Sequence, residues 1–514
     1  MIYLFKEKNV MGNAYVMVVL GILMAKGVGF FRDMVFAKVF GTGTMADIYF
    51  QVFGLVNLIF TGIGVALSTL VIKNINKSEN IGQEKSYAAS FLRKNFLFLS
   101  CAVIITALFA GQIVKVILPD VSGADYDLAL KLMYVMLPSL IFVVMAYIIS
   151  GILQNEKVYF ITSVMSLPYN AVIILSLYLP NVSIFTVSVV TTIGWLLHVL
   201  ILLPAFYKKG YRITAKSPAK TNKNKSPEIL WIFISNMTFQ LCIYIDRAFV
   251  SSSAGMASSF NYASNLFITI SSVFVVAMST VVFPSISKNY EEGHISYVND
   301  LLRYIITVMV AIFVPYLLVV GLFGGDVIRL VYERGSFTAE STKTVSIMFF
   351  IYSLGVLGYS CQELFNKILY LAGKYKYTVL GTVFVIALNI ITNLLINIFV
   401  PEFSLGVIPG KALLIGLSTS VLLTVYAVLI AVAIRKVVGP FWKKDLIIDI
   451  LKTLFSALLA FAVYLIFNSF TPDFTHGYIS FIIPLGVSGI VYIISLYATG
   501  VLMKLIKRET KGTN

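Results

Sequence analysis

The chain has 514 residues, of which 59% are hydrophobic and only 12% charged. Soluble domains carry about a quarter charged residues, so this chain has too few to cover a water-facing surface, and a soluble enzyme is excluded. The net charge of +16 falls in alternate loops, the positive-inside pattern of a membrane protein rather than the footprint of a nucleic-acid binder.

The apolar residues form runs of about 20, the length a helix needs to cross a bilayer. Lipid offers the backbone no hydrogen-bond partner, so each run is predicted to be helical. The weak alternation of a membrane barrel is absent. Fourteen spans are expected: 12–38, 46–72, 93–118, 127–153, 157–180, 182–206, 228–252, 258–285, 298–323, 342–372, 376–400, 410–436, 446–470 and 477–503. The first follows Lys6 and Lys8, as a signal peptide would. It continues into Arg32-Asp33 without a cleavage site and is read as a retained helix.

The turns after spans 2, 4, 6, 8, 10 and 12 carry the basic residues, among them Lys73, Lys77 and Lys85, Lys157, Lys208 to Lys225, Lys288, Lys374, and Arg435 to Lys444. The opposite turns hold Asp120, Asp125, Asp127 and Glu402. Segment 324–343 is mixed, with Arg329, Arg334 and Lys343 against Asp326, Glu333 and Glu340. Both termini are therefore expected in the cytoplasm.

The basic segment 208–227 separates an N-lobe (1–207, six spans) from a C-lobe (228–437, six spans), and 438–514 adds two spans and a tail. An internal repeat supports this division. Val65–Ile72 reads VALSTLVI and Val276–Phe283 reads VAMSTVVF, each in the second span of its lobe. Equal orientation of the two lobes places a pseudo-twofold axis along the membrane normal, with a cleft between six-helix bundles and alternating access across it.

Ionisable groups in hydrocarbon are costly, so each one calls for a reason. Span 1 holds Lys26, Arg32 and Asp33; Lys26 and Asp33 are two turns apart on one face. Either a cationic group faces the cleft, positioned by Asp33, or Arg32 and Asp33 snorkel to the surface. Asp47 opens span 2, as a cleft residue or as an acid complementing its own helix dipole. Asp246 and Arg247 are adjacent in span 7 and point about 100° apart. Glu363 and Lys367 in span 10 are spaced to neutralise each other. Asn389, Asn393 and Asn397 form an i, i+4, i+8 stripe in span 11, suited to interhelical hydrogen bonds or to an oxygen-lined cation site shared with Asp246. His198 reads as a packed core residue. Cys101, Cys242 and Cys361 sit inside apolar runs and suggest neither disulfide framework nor metal site. No phosphate loop or nucleophile elbow is present.

Span 1 and its turn, KGVGFFRDMVFAKVFGTGTMADIYF, resemble the N-terminal signature of the MurJ/MviN lipid II flippases, of the multidrug/oligosaccharidyl-lipid/polysaccharide exporter superfamily. IDRAF, VVFPSISK, LVYERGSFTAEST, YSLGVLGYSCQELFNKILYLAGKYKYTV and LNIITNLLI follow in order along almost the whole chain. The resemblance implies an all-α polytopic protein with two six-helix lobes around a cationic cavity and two further helices lining a lipid groove. It implies a flippase, not an enzyme, moving undecaprenyl-pyrophosphate-linked lipid II across a bacterial inner membrane for cell-wall synthesis. By position, Arg32 and Asp33 match the family's essential pair, Lys26 stands where an Arg is usual, and Asp47 matches the acid of span 2. Asp246, Asn389 and Asn393 match sodium ligands, with Asn393 in place of the usual Asp. Two cavity arginines are replaced, by Phe60 and by Asn265, and Arg247 is a candidate substitute for the lost charge. The expected substrate contacts are thus Lys26, Arg32, Asp33, Asp47, Arg247 and Asn265. The expected partners are the polyprenyl-linked glycan and the bilayer, with Na+ as coupling ion, no other cofactor, no nucleic acid, and a monomer working near cell-wall synthases. A flippase for another polyprenyl-linked glycan, a cation-coupled drug antiporter and a non-transporting scaffold are the competing readings.

Overall fold

The computed structural model describes residues 10–76, 81–214, 227–470 and 479–505. Lys77, the linker residues 215–226, and Lys507 and Arg508 of the tail lie outside them, as do the side chains of Phe60 and of residues 276–281 in the second repeat octamer. Spans 1 and 2 are α1 (Val10–Phe40) and α2 (Thr44–Ile75). Spans 3 to 8 are each divided: α3 (Ile81–Leu108) and α4 (Ala110–Ile117), α5 (Gly123–Met136) and α6 (Ser139–Asn155), α7 (Tyr159–Ser163) and α8 (Leu167–Leu177), α9 (Ile184–Leu200) and α10 (Leu203–Lys208), α11 (Pro227–Asn236) and α12 (Thr238–Phe249), α13 (Met256–Val281) and α14 (Phe283–Glu291). Span 9 is α15 (Ile295–Tyr332), and span 10 is α16 (Ala339–Leu354) with α17 (Val356–Leu371), bent by 46°. Spans 11 to 14 are α18 (Tyr375–Phe399), α19 (Gly410–Val438), α20 (Lys444–Phe470) and α21 (Ile479–Ala498), with a two-stranded hairpin, β1 (Ser404–Leu405) and β2 (Ile408–Pro409), between α18 and α19. Among the described residues seven helical stretches are each long and apolar enough to cross a membrane, and α16–α17 makes an eighth as a bent pair. The protein is an all-α polytopic membrane protein.

The breaks differ from the continuous spans expected, and several have a local cause. Pro138 caps α6, and Pro168, Pro204 and Pro284 occupy the first turns of α8, α10 and α14. Proline has no N–H to donate and clashes with the preceding turn, but its fixed φ suits a helix start. Each proline therefore ends one segment and begins the next. Pro315 instead lies inside α15. Its missing N–H leaves the carbonyl four residues back, Ala311 O, without its helical donor, and Tyr492 Oη of α21 donates to that oxygen at 2.7 Å. The second correction concerns segment 324–343. It is helical to Tyr332, because Ile328 and Tyr332 keep the buried face of α15 going beyond the expected end.

By contact the chain groups into two units, and the first comprises 1–269, 325–348 and 382–419. Within it Gly41 and Gly335 each adopt a left-handed conformation, φ +59 in both. A Cβ on Gly41 would strike Ser336 O, and one on Gly335 would strike Lys38 O. Ser336 N donates to Lys38 O at 2.8 Å and Tyr262 Oη to Gly41 O at 3.1 Å. The glycines of the VFG turn and of the ERG-x-FTAE motif thus exist to let two backbones touch. At another edge of this unit Tyr211 is fully buried just after α10. Its hydroxyl lies against Glu84 and, at 2.8 Å, Glu156. Burial, with the two carboxylates, pushes the Tyr211 phenol well above its ordinary range, so it remains a hydrogen-bond donor. The second unit comprises 270–324, 349–381 and 420–514. Its core packs α20 and α21 through Ala457, Ala460, Tyr492 and Leu496 against Val314 and Leu318 of α15.

Candidate functional site

All the residues singled out for substrate or ion lie in the first unit. Arg32, about six turns into α1 after Lys26 and the glycines, is neither at a helix end nor fully buried. Its side chain is 19% exposed and that of Asp33 13%. Arg32 Nε and Nη2 donate to Asp33 Oδ1 at 3.0 and 2.7 Å, and Nη1 donates to Asn170 Oδ1 at 3.1 Å. Asn170 is itself fixed by donating to Ser166 O at 2.9 Å. The guanidinium carbon stands 5.6 Å from the centre of the Tyr169 ring, a cation–π distance. Asp33 and Asn170 therefore hold Arg32 in place. Lys26 is exposed on the same helix. Asn170 and Tyr169 on α8 were not foreseen, because one Asn in an apolar run carries no pattern.

Asp47 is 3% exposed and stands in the first turn of α2, with both its oxygens turned to another helix. Its Oδ2 accepts from Gly255 N at 2.6 Å and its Oδ1 from Ser258 N at 2.5 Å, so it caps the start of α13. Orphan N–H groups at a helix start take an anionic acceptor readily. Arg247 is 7% exposed, donates from Nη1 to Asn261 Oδ1 at 2.7 Å, and lies over the Tyr244 ring at 5.4 Å. Its guanidinium interacts electrostatically with both Asp47 and Asp246, which links the acids of α2 and α12. A Cβ on Gly54 would come within 2.7 Å of Arg247 Nη2; the glycine makes room for the guanidinium. Asn265 is half-buried on α13, and its carbonyl accepts from Thr269 Oγ1 at 2.7 Å.

Asp246, Asn389 and Asn393 come together with no exposure at all. Asp246 Oδ1 accepts from Asn389 Nδ2 at 2.9 Å and Asn393 Nδ2 at 2.8 Å, and Oδ2 accepts from Thr419 Oγ1 at 2.6 Å. Asn389 Nδ2 also reaches Thr419 Oγ1 at 3.0 Å. The stripe on α18 thus makes interhelical bonds to α12 and α19. The same four side chains are an all-oxygen donor set with one formal negative charge, and Asn389 Oδ1 is buried with no hydrogen-bond partner. That composition fits a hard monovalent cation. Asn397, next on the stripe, is half-buried. Thr419 was missed; a threonine among many in an apolar helix has no sequence signal.

Residues 36–503 match the family model described as lipid II flippase MurJ. The chain belongs to this family. MurJ family relatives include probable lipid II flippases of Treponema pallidum, 24% identical over 98% of this chain and 97% of that one, and of Rhizobium tropici, 24% identical over 72% of each. A solved lipid II flippase MurJ in an inward closed conformation superposes with a TM-score of 0.74 at 20% identity, covering 95% of this chain and 99% of that one. An inward-facing multidrug resistance MATE family transporter has a TM-score of 0.66 at 14% identity, covering 83% and 98%. These likenesses carry the fold. The VFG turn at Gly41 and the ERG-x-FTAE motif, whose close contacts were described above, lie within the matched residues.

Proposed function

We propose that this MurJ family member flips lipid II from the inner to the outer leaflet of a bacterial inner membrane by alternating access. The observation that carries the reading is Arg32: a guanidinium inside a membrane helix, held by Asp33 and Asn170 and still open to its surroundings. Arginine's planar fork matches phosphate oxygens, and its five N–H groups leave donors for a pyrophosphate after Asp33 and Asn170 are satisfied. The prenyl tail needs only lipid. Lys26 on the same helix extends the cationic path, Arg247 and Asn265 border it on the second lobe, and Asp47 ties α2 to α13. Both termini lie in the cytoplasm on this reading, and the protein acts as a monomer near cell-wall synthases.

The buried Asp246 with Asn389, Asn393 and Thr419 would hold Na+, which neutralises the carboxylate when bound. The ion gradient or the membrane potential supplies the drive; one charge crossing 100 mV is worth about 2.3 kcal/mol. The test is rescue of cells depleted of their own lipid II flippase. Rescue by the native chain and its loss in Arg32→Ala, at equal expression, are the expected results.

A further inference from the structure

Asp246 and Arg247 are adjacent on α12, yet their side chains go to different neighbours. Asp246 is held from α18 and α19 by Asn389, Asn393 and Thr419. Arg247 turns to α13 and α2. Its Nη1 donates to Asn261 Oδ1 at 2.7 Å, and its Nη2 lies so close to Gly54 that a Cβ there would stand 2.7 Å away. Both neighbours lead to Asp47. Gly54 lies two turns beyond Asp47 on α2. Asn261 lies one turn beyond Ser258 on α13, and Ser258 N donates to Asp47. Tyr244, whose ring lies under the guanidinium at 5.4 Å, donates to Gln51 O of α2 at 3.2 Å. All these residues belong to the first unit.

Two buried carboxylates, Asp47 and Asp246, thus share the buried guanidinium of Arg247. A buried charge is costly unless it is paired. Na+ at Asp246 neutralises that carboxylate and leaves the guanidinium to Asp47. Two cations in a protein interior also repel each other far more than they do in water. Ion binding on the α18 and α19 side of α12 is therefore felt on its α2 and α13 side.

We propose that Arg247 is the positioning residue that couples the ion site to α2: cation binding at Asp246 commits its guanidinium to Asp47 and so tightens α12 against α2 and α13. The proposal rests on the sodium reading of Asp246 and goes beyond it in naming where the binding is felt. Coupling is reciprocal, so changes at Arg247 and Asp47 must alter the affinity for the cation. The test counts radioactive Na+ bound to purified full-length protein at constant ionic strength. Arg247→Gln keeps a donor for Asn261 and loses the charge, and is expected to bind Na+ about fivefold more tightly than the native chain. A residue with a merely structural role would loosen the site on removal and weaken binding instead. Arg247→Lys keeps the charge and stays within about twofold of native. Asp47→Asn keeps an acceptor for the start of α13 but turns the guanidinium to Asp246, and weakens Na+ binding about fivefold. The same Asp47→Asn change has little effect once Arg247→Gln is present. Unchanged or weaker binding in Arg247→Gln, or an Asp47→Asn effect that is equal with and without Arg247, would overturn the proposal and leave the sodium site standing. A native chain that binds no Na+ would overturn the sodium reading itself, and the proposal with it.

Discussion

At the scale of single residues, what distinguishes Arg32 is how it is held. Asp33 is adjacent in sequence, yet the guanidinium bends back to it while reaching across to Asn170 on α8. Lysine keeps the charge and loses the fork. Arg32→Lys is therefore expected to retain normal membrane levels and lose at least tenfold in lipid transport in reconstituted vesicles. Normal transport by Arg32→Ala and Asp33→Ala would instead favour the scaffold reading. The Asp246 set makes a second prediction. A site holding Na+ only in the folded state adds about 1.4 kcal/mol at ten times its Kd. Raising Na+ against constant ionic strength should raise the melting temperature of the native chain, and Asp246→Asn should abolish the rise. Asp246 and the Asn389–Asn393 stripe were readable, since a carboxylate and regularly spaced amides in apolar runs demand a reason. Asn170, Asn261 and Thr419 were not, because their partners lie more than ten residues away in sequence and nothing local marks them.

At the scale of elements, hydropathy located every span but not the places where spans break. A proline inside an apolar run has two outcomes, a new helix start as at Pro168 and Pro284 or a continued helix as at Pro315 and Pro484, and at Pro315 another element supplies the lost donor. Tyr492 supplies it to Ala311. Tyr492→Phe should therefore cost about 1–3 kcal/mol, the penalty for a buried unpaired carbonyl, read as a lower melting temperature with transport-site residues untouched. Gly41→Ala meets Ser336 O at a left-handed φ. Strain of about 1–3 kcal/mol is expected there, and the same change at exposed Gly373, also left-handed but with open space around its Cβ, should cost less. Equal losses at the two positions would show that the backbone contact contributes nothing.

At the scale of the molecule, the all-α polytopic architecture was legible because a bilayer admits few alternatives, and the order of motifs carried the family. The division into lobes of six spans is a division of the sequence; the contact units follow a different partition, with parts of 228–437 grouped with the first six spans. Sequence neighbours do not dictate which helix ends pack together when Asp47 of α2 caps α13 and Ser336 reaches Lys38. The central claim is that this chain moves lipid II. Its most direct measurement is growth of cells depleted of their own lipid II flippase while expressing this chain. The account predicts rescue by the native protein and none by Arg32→Ala at equal membrane level. A correctly inserted, well-expressed native protein that leaves those cells to lyse would contradict it.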